Sequence, residues 1–217
     1  MKTTANAAQF LADSGYVQLP ALLKPEELDD VAQQLATSDI VDGDRRMLDR
    51  EWCRVLAQVL RLRLLRNRVL PRDAVPVLMR AFNNPAGTGC GSAPHRDLYI
   101  PVAEQVEASG YRNWSQVQGV TLCQPPAPIL ESMLVLYLYL EPCSELDGPL
   151  QVYAGSQRLA LEQSESVRIL AQPGDALLMT PSVMHCATRS CSERARRTLS
   201  VLFGPPALPK AVRWFYG

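Results

Sequence analysis

The sequence predicts a mainly β fold, a double-sheet jelly roll with N-terminal helices packed on one face. Three observations predict it. Helical periodicity is confined to the first third of the 217 residues. From Val75 onwards the apolar runs are short and β-prone. Gly-centred turns separate those runs: a Gly-rich stretch over 85–92, then Asp147-Gly148-Pro149, then Pro173-Gly174-Asp175.

The elements follow in order. Asn6 to Ser14 reads as a short helix ended by Gly15, and Tyr16 to Leu19 as a short strand. Lys24-Pro25-Glu26-Glu27 opens a second helix running to about Thr37, with Pro early and acids in the first turn. Leu28, Val31, Ala32 and Leu35 recur at helical spacing there. A third helix is expected from Asp49 to about Asn67, with Trp52, Val55, Leu56, Val59 and Leu60 as its apolar stripe and the arginines of 61–68 on a solvated face. Strands are expected over 77–82, 132–140, 151–153, 176–180 and 197–203. Between them, 98–130 shows little periodicity and carries four prolines, so it is expected to be an irregular functional lid, mobile until substrate binds. The expected organisation is one domain over 1–217, with helical support in 1–70 and the jelly-roll core in 75–204.

Composition excludes some function classes. The formal net charge is zero, which argues against a nucleic-acid or anionic-membrane footprint. No apolar run approaches the roughly 20 residues of a membrane span. The N-terminus lacks the apolar core of a signal peptide, since Asp13 interrupts it, so a cytoplasmic location is expected. The six cysteines show no C-x-x-C spacing and read as reduced thiols. Cys186 adjoins His185, but strand alternation turns it away from whatever His185 faces.

The chain has two histidines, and one opens the triplet His95-Arg96-Asp97. In an extended segment residues i and i+2 share a face, so His95 and Asp97 are placed to grip one metal. His185, carried by a second strand or turn, is expected to reach it from the opposite side of the barrel. Two histidines and one carboxylate with open positions are the ligand set of a non-heme Fe(II) oxygenase. Either histidine alone reads equally well as a hydrogen-bonded structural residue.

In this order the motifs resemble the phytanoyl-CoA dioxygenase-like branch of the Fe(II)/2-oxoglutarate oxygenases, whose fold is a double-stranded β-helix, or cupin-like jelly roll. The family's His-x-Asp matches His95 and Asp97, and its distal histidine matches His185. Its Asn-Gly-x-Leu…Pro-Gly-Ser-His hairpin resembles Asp147-Gly-Pro-Leu150 and Ala154-Gly-Ser-Gln-Arg158, with Asp and Gln as departures. Its Gly-Asp turn resembles Gly174-Asp175. Pro94 to Val102, Trp114, Gln124-Pro125-Pro126 and Leu130 to Leu140 resemble a bacterial subgroup. The likeness spans roughly Phe10 to Phe203.

The resemblance implies Fe(II) held by His95, Asp97 and His185, with 2-oxoglutarate and O2 as co-substrates. It implies oxidation, by preference hydroxylation, of a C–H bond in a small metabolite or natural-product intermediate, with release of succinate and CO2. Asp97 disfavours halogenation, because related halogenases carry a small residue there. The family's 2-oxoglutarate arginine follows the distal histidine by about ten to twelve residues, and Arg196 and Arg197 both qualify. Arg196 is preferred, because it shares a strand face with Thr198 and Ser200. Thr188, Ser200 and Tyr137 are further candidates for the co-substrate. Tyr99, Arg112, Trp114 and Gln116 are candidates for substrate. The alternatives are a jelly roll that binds a metal or small acid without turnover, and an iron-dependent isomerase or cyclase.

Overall fold

The computed structural model describes residues 4–84, 91–209 and 211–216. Most of the expected Gly-rich loop, 85–90 with Cys90, lies outside the described residues.

Three helices come first: α1 (Thr4–Ser14), α2 (Pro25–Ala36) and α3 (Glu51–Arg66). Proline at the start of α2 has no N–H to lose, and Glu27 accepts the Lys24 backbone N–H at 2.8 Å, closing the first turn. The buried face of α3 is Cys53, Leu56, Ala57, Leu60 and Leu64. The expected stripe was therefore rotated, and Val55 lies 58% exposed. Nor are the arginines that follow simply solvated. Arg61 donates to the Ala74 and Arg72 carbonyls, and Arg63 to the Leu22 carbonyl and Glu27.

Eleven strands are described: β1 (Tyr16–Leu19), β2 (Val75–Asn84), β3 (Ile100–Val102), β4 (Arg112–Val117), β5 (Val120–Gln124), β6 (Leu134–Tyr139), β7 (Leu150–Ala154), β8 (Glu165–Arg168), β9 (Ala176–Met179), β10 (His185–Ala187) and β11 (Arg196–Gly204). A short helix α4 (Ala127–Glu131) precedes β6. The strands form a five-stranded sheet in the order β1-β9-β6-β11-β2, and two three-stranded sheets, β10-β7-β8 and β3-β5-β4. Every pairing is antiparallel. This is the expected jelly-roll-like β fold.

Alternation along the large sheet decides what each face packs against. Met79, Ala81, Leu136, Leu138, Leu178, Leu199 and Val201 join one core with the buried residues of the three helices. Leu177, Met179, Leu202, Tyr137 and Tyr139 belong to a second core with residues of the two small sheets, such as Ile100, Cys123 and Val152. The helices thus cover one face of the large sheet, and the other face is left to line the interior.

The reading of 98–130 as irregular is corrected. This stretch is the β3-β5-β4 sheet plus α4. Its strands are only three to six residues long, too short to show a period in the sequence. They still bury Ile100, Val102, Val120, Leu122 and Cys123, which ties the segment to the second core.

Turns hold the strand ends in place. Gly174 sits at φ 86°, and a Cβ there would lie 2.4 Å from the Leu23 carbonyl oxygen, so only glycine fits. Asp175 accepts the Ala21 and Gln172 N–H groups, each at 2.8 Å, which ties β1 to the turn that feeds β9.

Candidate active site

The segment 94–97 runs alongside 181–187. His95 and His185 exchange both backbone hydrogen bonds, each 2.9 Å. In such an antiparallel pair the two side chains stand beside each other on one face. Their ring centroids are 4.5 Å apart and their planes meet at 52°. The expected approach from opposite sides of the barrel is thereby corrected: the two histidines are cross-strand neighbours. Asp97 N donates to the Pro181 carbonyl at 2.9 Å. The intervening Arg96 donates its guanidinium to the Ser182 and Ser156 carbonyls, away from the pair, as alternation requires. One potential ligand atom from each of His95, Asp97 and His185 lies within 4.8 Å of the other two, and His185 Nε2 is 3.9 Å from Asp97 Oδ2.

The protonation pattern suits a divalent cation. His95 Nδ1 lies 2.9 Å from the Ala93 carbonyl, and His185 Nδ1 lies 3.0 Å from the Val183 carbonyl. A carbonyl only accepts, so each Nδ1 donates its proton there and each Nε2 is the ring nitrogen left to serve as a ligand atom. Burial pushes the His185 imidazolium below its ordinary pKa, against the opposing pull of Asp97, and the ring stays neutral. Burial works against ionisation of Asp97. Arg80, His185, the Tyr137 hydrogen bond and His95 outweigh it and hold the carboxyl below its ordinary value. Two imidazoles beside one carboxylate fit Fe(II), and the cluster is compatible with iron binding.

Sequence reasoning missed Arg80. Its guanidinium lies 3.5 Å from Asp97 Oδ2, donates to Ser200 Oγ at 3.3 Å, and sits over the Phe82 ring at 5.1 Å. Tyr137 donates its hydroxyl to the same Asp97 oxygen at 3.0 Å. Arg80, Ser200 and Tyr137 are direct cross-strand partners on β2, β11 and β6, so one row of the large sheet orients the carboxylate. Tyr137 and Ser200, expected to touch a co-substrate, bind Asp97 and Arg80, and Tyr137 also lines the cavity described next. A strand arginine flanked by Met79 and Ala81 gives no local sign of this role.

A cavity of about 260 Å³ joins the three residues to Arg196 and Thr198, with Phe82, Tyr137 and Leu150 in its wall. Arg196 lies four residues along β11 from Ser200, roughly 13 Å at about 3.3 Å per residue, so it lies well away from Asp97 within that cavity. It is buried. Its contacts are the Gly148 carbonyl at 3.1 Å and Thr198 Oγ1 at 3.4 Å, and its Nε has no partner among the described residues. Arg197 faces the other way, where its backbone N and its Nε bind Glu141 at 2.6 and 2.7 Å. A buried guanidinium with no carboxylate partner is costly unless an anion completes it, and the dicarboxylate 2-oxoglutarate fits that need.

Other expected site residues lie elsewhere. The Thr188 hydroxyl donates to the Pro149 carbonyl at 2.8 Å and does not line the cavity. Tyr99 lines a second cavity beside His95 and Asp97, but Arg112, Trp114 and Gln116 line neither; Ser115 and Val117 do. β4 carries a register shift between Arg112 and Ser115, with Asn113 at φ 54°, and beyond it Ser115 and Val117 are the residues that line the second cavity. Trp114 packs near Tyr111 instead, their ring centroids 6.5 Å apart.

The turn beneath Arg196 depends on Asp147, which is buried. Its carboxylate accepts the Ser144 N–H at 2.8 Å, the Ser144 hydroxyl at 2.5 Å and Arg194 Nη2 at 2.9 Å. Despite burial, these partners hold its pKa down to about 2. Asp147→Ala is expected to lower stability by about 1–3 kcal/mol, read as a lower urea midpoint at unchanged m-value. A lowered native pKa stabilises the fold above the ordinary value of 3.8, and the contribution is lost as pH falls towards 2. The wild-type advantage over the variant should shrink across that window.

The phytanoyl-CoA dioxygenase (PhyH) family model matches residues 11–198. This chain belongs to that family. Its class of activity is Fe(II)/2-oxoglutarate-dependent and oxygenase-type, and the site described above is compatible with that cofactor pair. Solved structures share the fold. The non-heme alpha-ketoglutarate-dependent epimerase SnoN from nogalamycin biosynthesis superposes with a TM-score of 0.70 at 16% identity, covering 92% of this chain and 81% of that one. AviO1 from Streptomyces viridochromogenes Tue57 gives 0.66 at 18% identity, covering 97% and 99%. Iron-bound HygX from Streptomyces hygroscopicus gives 0.65 at 16% identity, covering 92% and 85%. A search of curated proteins returns no match. No helix among the described residues of this PhyH-family chain is long and apolar enough to cross a membrane.

Proposed function

We propose that this PhyH-family protein oxidises an unactivated C–H bond of a small metabolite or natural-product intermediate, by preference through hydroxylation, consuming 2-oxoglutarate and releasing succinate and CO2. One observation carries the reading: the buried, incompletely partnered Arg196 shares a 260 Å³ cavity with His95, Asp97 and His185.

His95, Asp97 and His185 would hold Fe(II), leaving positions open for co-substrate. Iron bound there supplies dioxygen activation coupled to oxidative decarboxylation of 2-oxoglutarate. The chain's own contribution is positioning. Arg196 receives the far carboxylate of 2-oxoglutarate, with Thr198 beside it. Arg80 and Tyr137 keep the Asp97 carboxylate ionised and aimed. Phe82 and Leu150 give the cavity an apolar wall that limits water. The PhyH-fold neighbours support small-molecule chemistry: HygX has been crystallised with nickel, 2-oxoglutarate and hygromycin B, and SnoN with nogalamycin RO.

An iron-dependent epimerase or cyclase is the second reading, favoured by the likeness to SnoN and to the carbocyclase SnoK. The test is to incubate the iron-loaded protein with 2-oxoglutarate and candidate metabolite pools, and to follow succinate and product masses. Hydroxylation is expected to add one oxygen atom to a product for each succinate formed. Succinate formation with an isomeric product, dependent on an added two-electron reductant such as ascorbate that reduces the remaining oxygen atom to water, would favour epimerisation, and with a product two hydrogens lighter, cyclisation or desaturation. No substrate-dependent succinate would leave a non-catalytic binder.

A further inference from the structure

A second cavity, of about 350 Å³, meets the first at Arg80, His95 and Asp97. Leucines dominate its wall, among them Leu78, Leu98, Leu122 and Leu202. Its charged lining is unbalanced: it counts three arginines, Arg45, Arg80 and Arg96, and one carboxylate, Asp97. Two of the arginines are engaged. Arg80 is committed to Asp97 and Ser200, and Arg96 to two backbone carbonyls.

Arg45 is not engaged. Its Nε is buried without a partner, and no hydrogen bond or ion pair to its guanidinium is found among the described residues. It is nevertheless held firmly by its backbone. Arg45 N donates to Gln118 Oε1 at 2.8 Å, which ties it to the β4–β5 turn. The preceding Asp44 is buried and accepts from Arg46 N and Arg50, and Gly43 N donates to the Ala81 carbonyl of β2 at 2.7 Å. Burial and then the neighbouring Arg80 work against the charge of Arg45, and only Asp97 favours it. A bound divalent metal and a dianionic co-substrate would cancel each other, so the cationic surplus would persist in the loaded enzyme. An unpaired, preorganised guanidinium in a leucine-lined cavity beside the metal residues calls for an oxyanion.

We propose that this cavity is the substrate subsite, and that it takes an organic oxyanion with an apolar body, a carboxylate or a phosphate ester, whose anionic group docks on Arg45. The proposal rests on the oxygenase reading above and narrows its substrate class. The volume is at the small end of the roughly 300–1,000 Å³ range of ligand cavities, which suits a body of one or two rings.

The test uses nickel-loaded protein at saturating 2-oxoglutarate, with phenylacetate, phenyl phosphate and phenylacetamide as probes in calorimetric titrations. At least one anionic probe should bind about tenfold or more tightly than the neutral amide, the scale of one charge-assisted contact. Arg45→Gln should erase that preference, Arg45→Lys should restore part of it, and 2-oxoglutarate affinity should stay within about twofold in both. The tighter of the two anions assigns carboxylate or phosphate. Equal binding of acid and amide, a preference that survives Arg45→Gln, or no binding of either anion at millimolar concentration would overturn the proposal. If 2-oxoglutarate itself fails to bind the nickel-loaded wild type, the oxygenase reading fails instead. The anion preference is then read from the same probes without co-substrate, in an Arg196→Ala background that removes the other buried cation.

Discussion

Alanine at His185 or at Asp97 is expected to abolish stoichiometric iron binding. The two side chains and His95 bring their donor atoms within 4.8 Å of one another, so losing either leaves two protein donors and a much weaker site. In the wild type the ligand atoms should close to about 2.0–2.2 Å from the metal, the range for imidazole and carboxylate ligands of a similar divalent ion. Asp97→Ala carries a further penalty. It removes the acceptor of both Arg80 and Tyr137, leaving a cation and a hydroxyl facing the vacant position. Metal analysis after anaerobic loading, with circular dichroism to confirm folding, measures the effect. One equivalent of iron retained in both folded variants would remove these residues as ligands. Nickel or cobalt in place of iron would not count against them, because the donor set accepts all three.

The second large effect is on the co-substrate. Arg196→Ala is expected to weaken 2-oxoglutarate binding by about two or more orders of magnitude, since truncating one partner of a buried charge pair costs about 2–5 kcal/mol. Arg197→Ala should leave that affinity nearly unchanged, because its guanidinium is already held by Glu141 on the opposite strand face. Its cost should appear as a modest loss of stability, because Glu141 would lose its partner. The contrast between neighbours tests the strand register directly, since a slip of one residue exchanges their faces. A large loss in Arg197→Ala alone would refute the assignment.

Much of this site was legible because its logic is local. His95 and Asp97 lie two apart in an extended segment, and Arg196, Thr198 and Ser200 alternate along one strand, so period two alone sorts which side chains share a face. The helix-then-strand order and the Gly-Asp turns place the sheets in sequence. What was not legible is non-local. The pairing of His95 with His185 is a backbone contact across 90 residues, and nothing in either segment announces it. Arg80 reads as an ordinary strand arginine until β11 and β6 bring Ser200 and Tyr137 beside it. Arg45 lies in a loop whose docking depends on Ala81 and Gln118. In β4 it is Ser115 and Val117, not Trp114 and Gln116, that line the second cavity, and a segment read without strands offers no alternation to sort them by. The strands within 98–130 were missed for the same reason, since three short strands are held together by each other and by the second core.

The central claim is that the His95, Asp97 and His185 cluster and Arg196 form the two ends of one 2-oxoglutarate site. The most direct measurement is an anaerobic calorimetric titration of 2-oxoglutarate into the metal-free and the Fe(II)-loaded protein. The account predicts one equivalent bound to the iron-loaded protein, binding at least about tenfold weaker without metal, and loss of the tight phase in both Asp97→Ala and Arg196→Ala. Binding of equal strength with and without iron, unchanged in both variants, would contradict it.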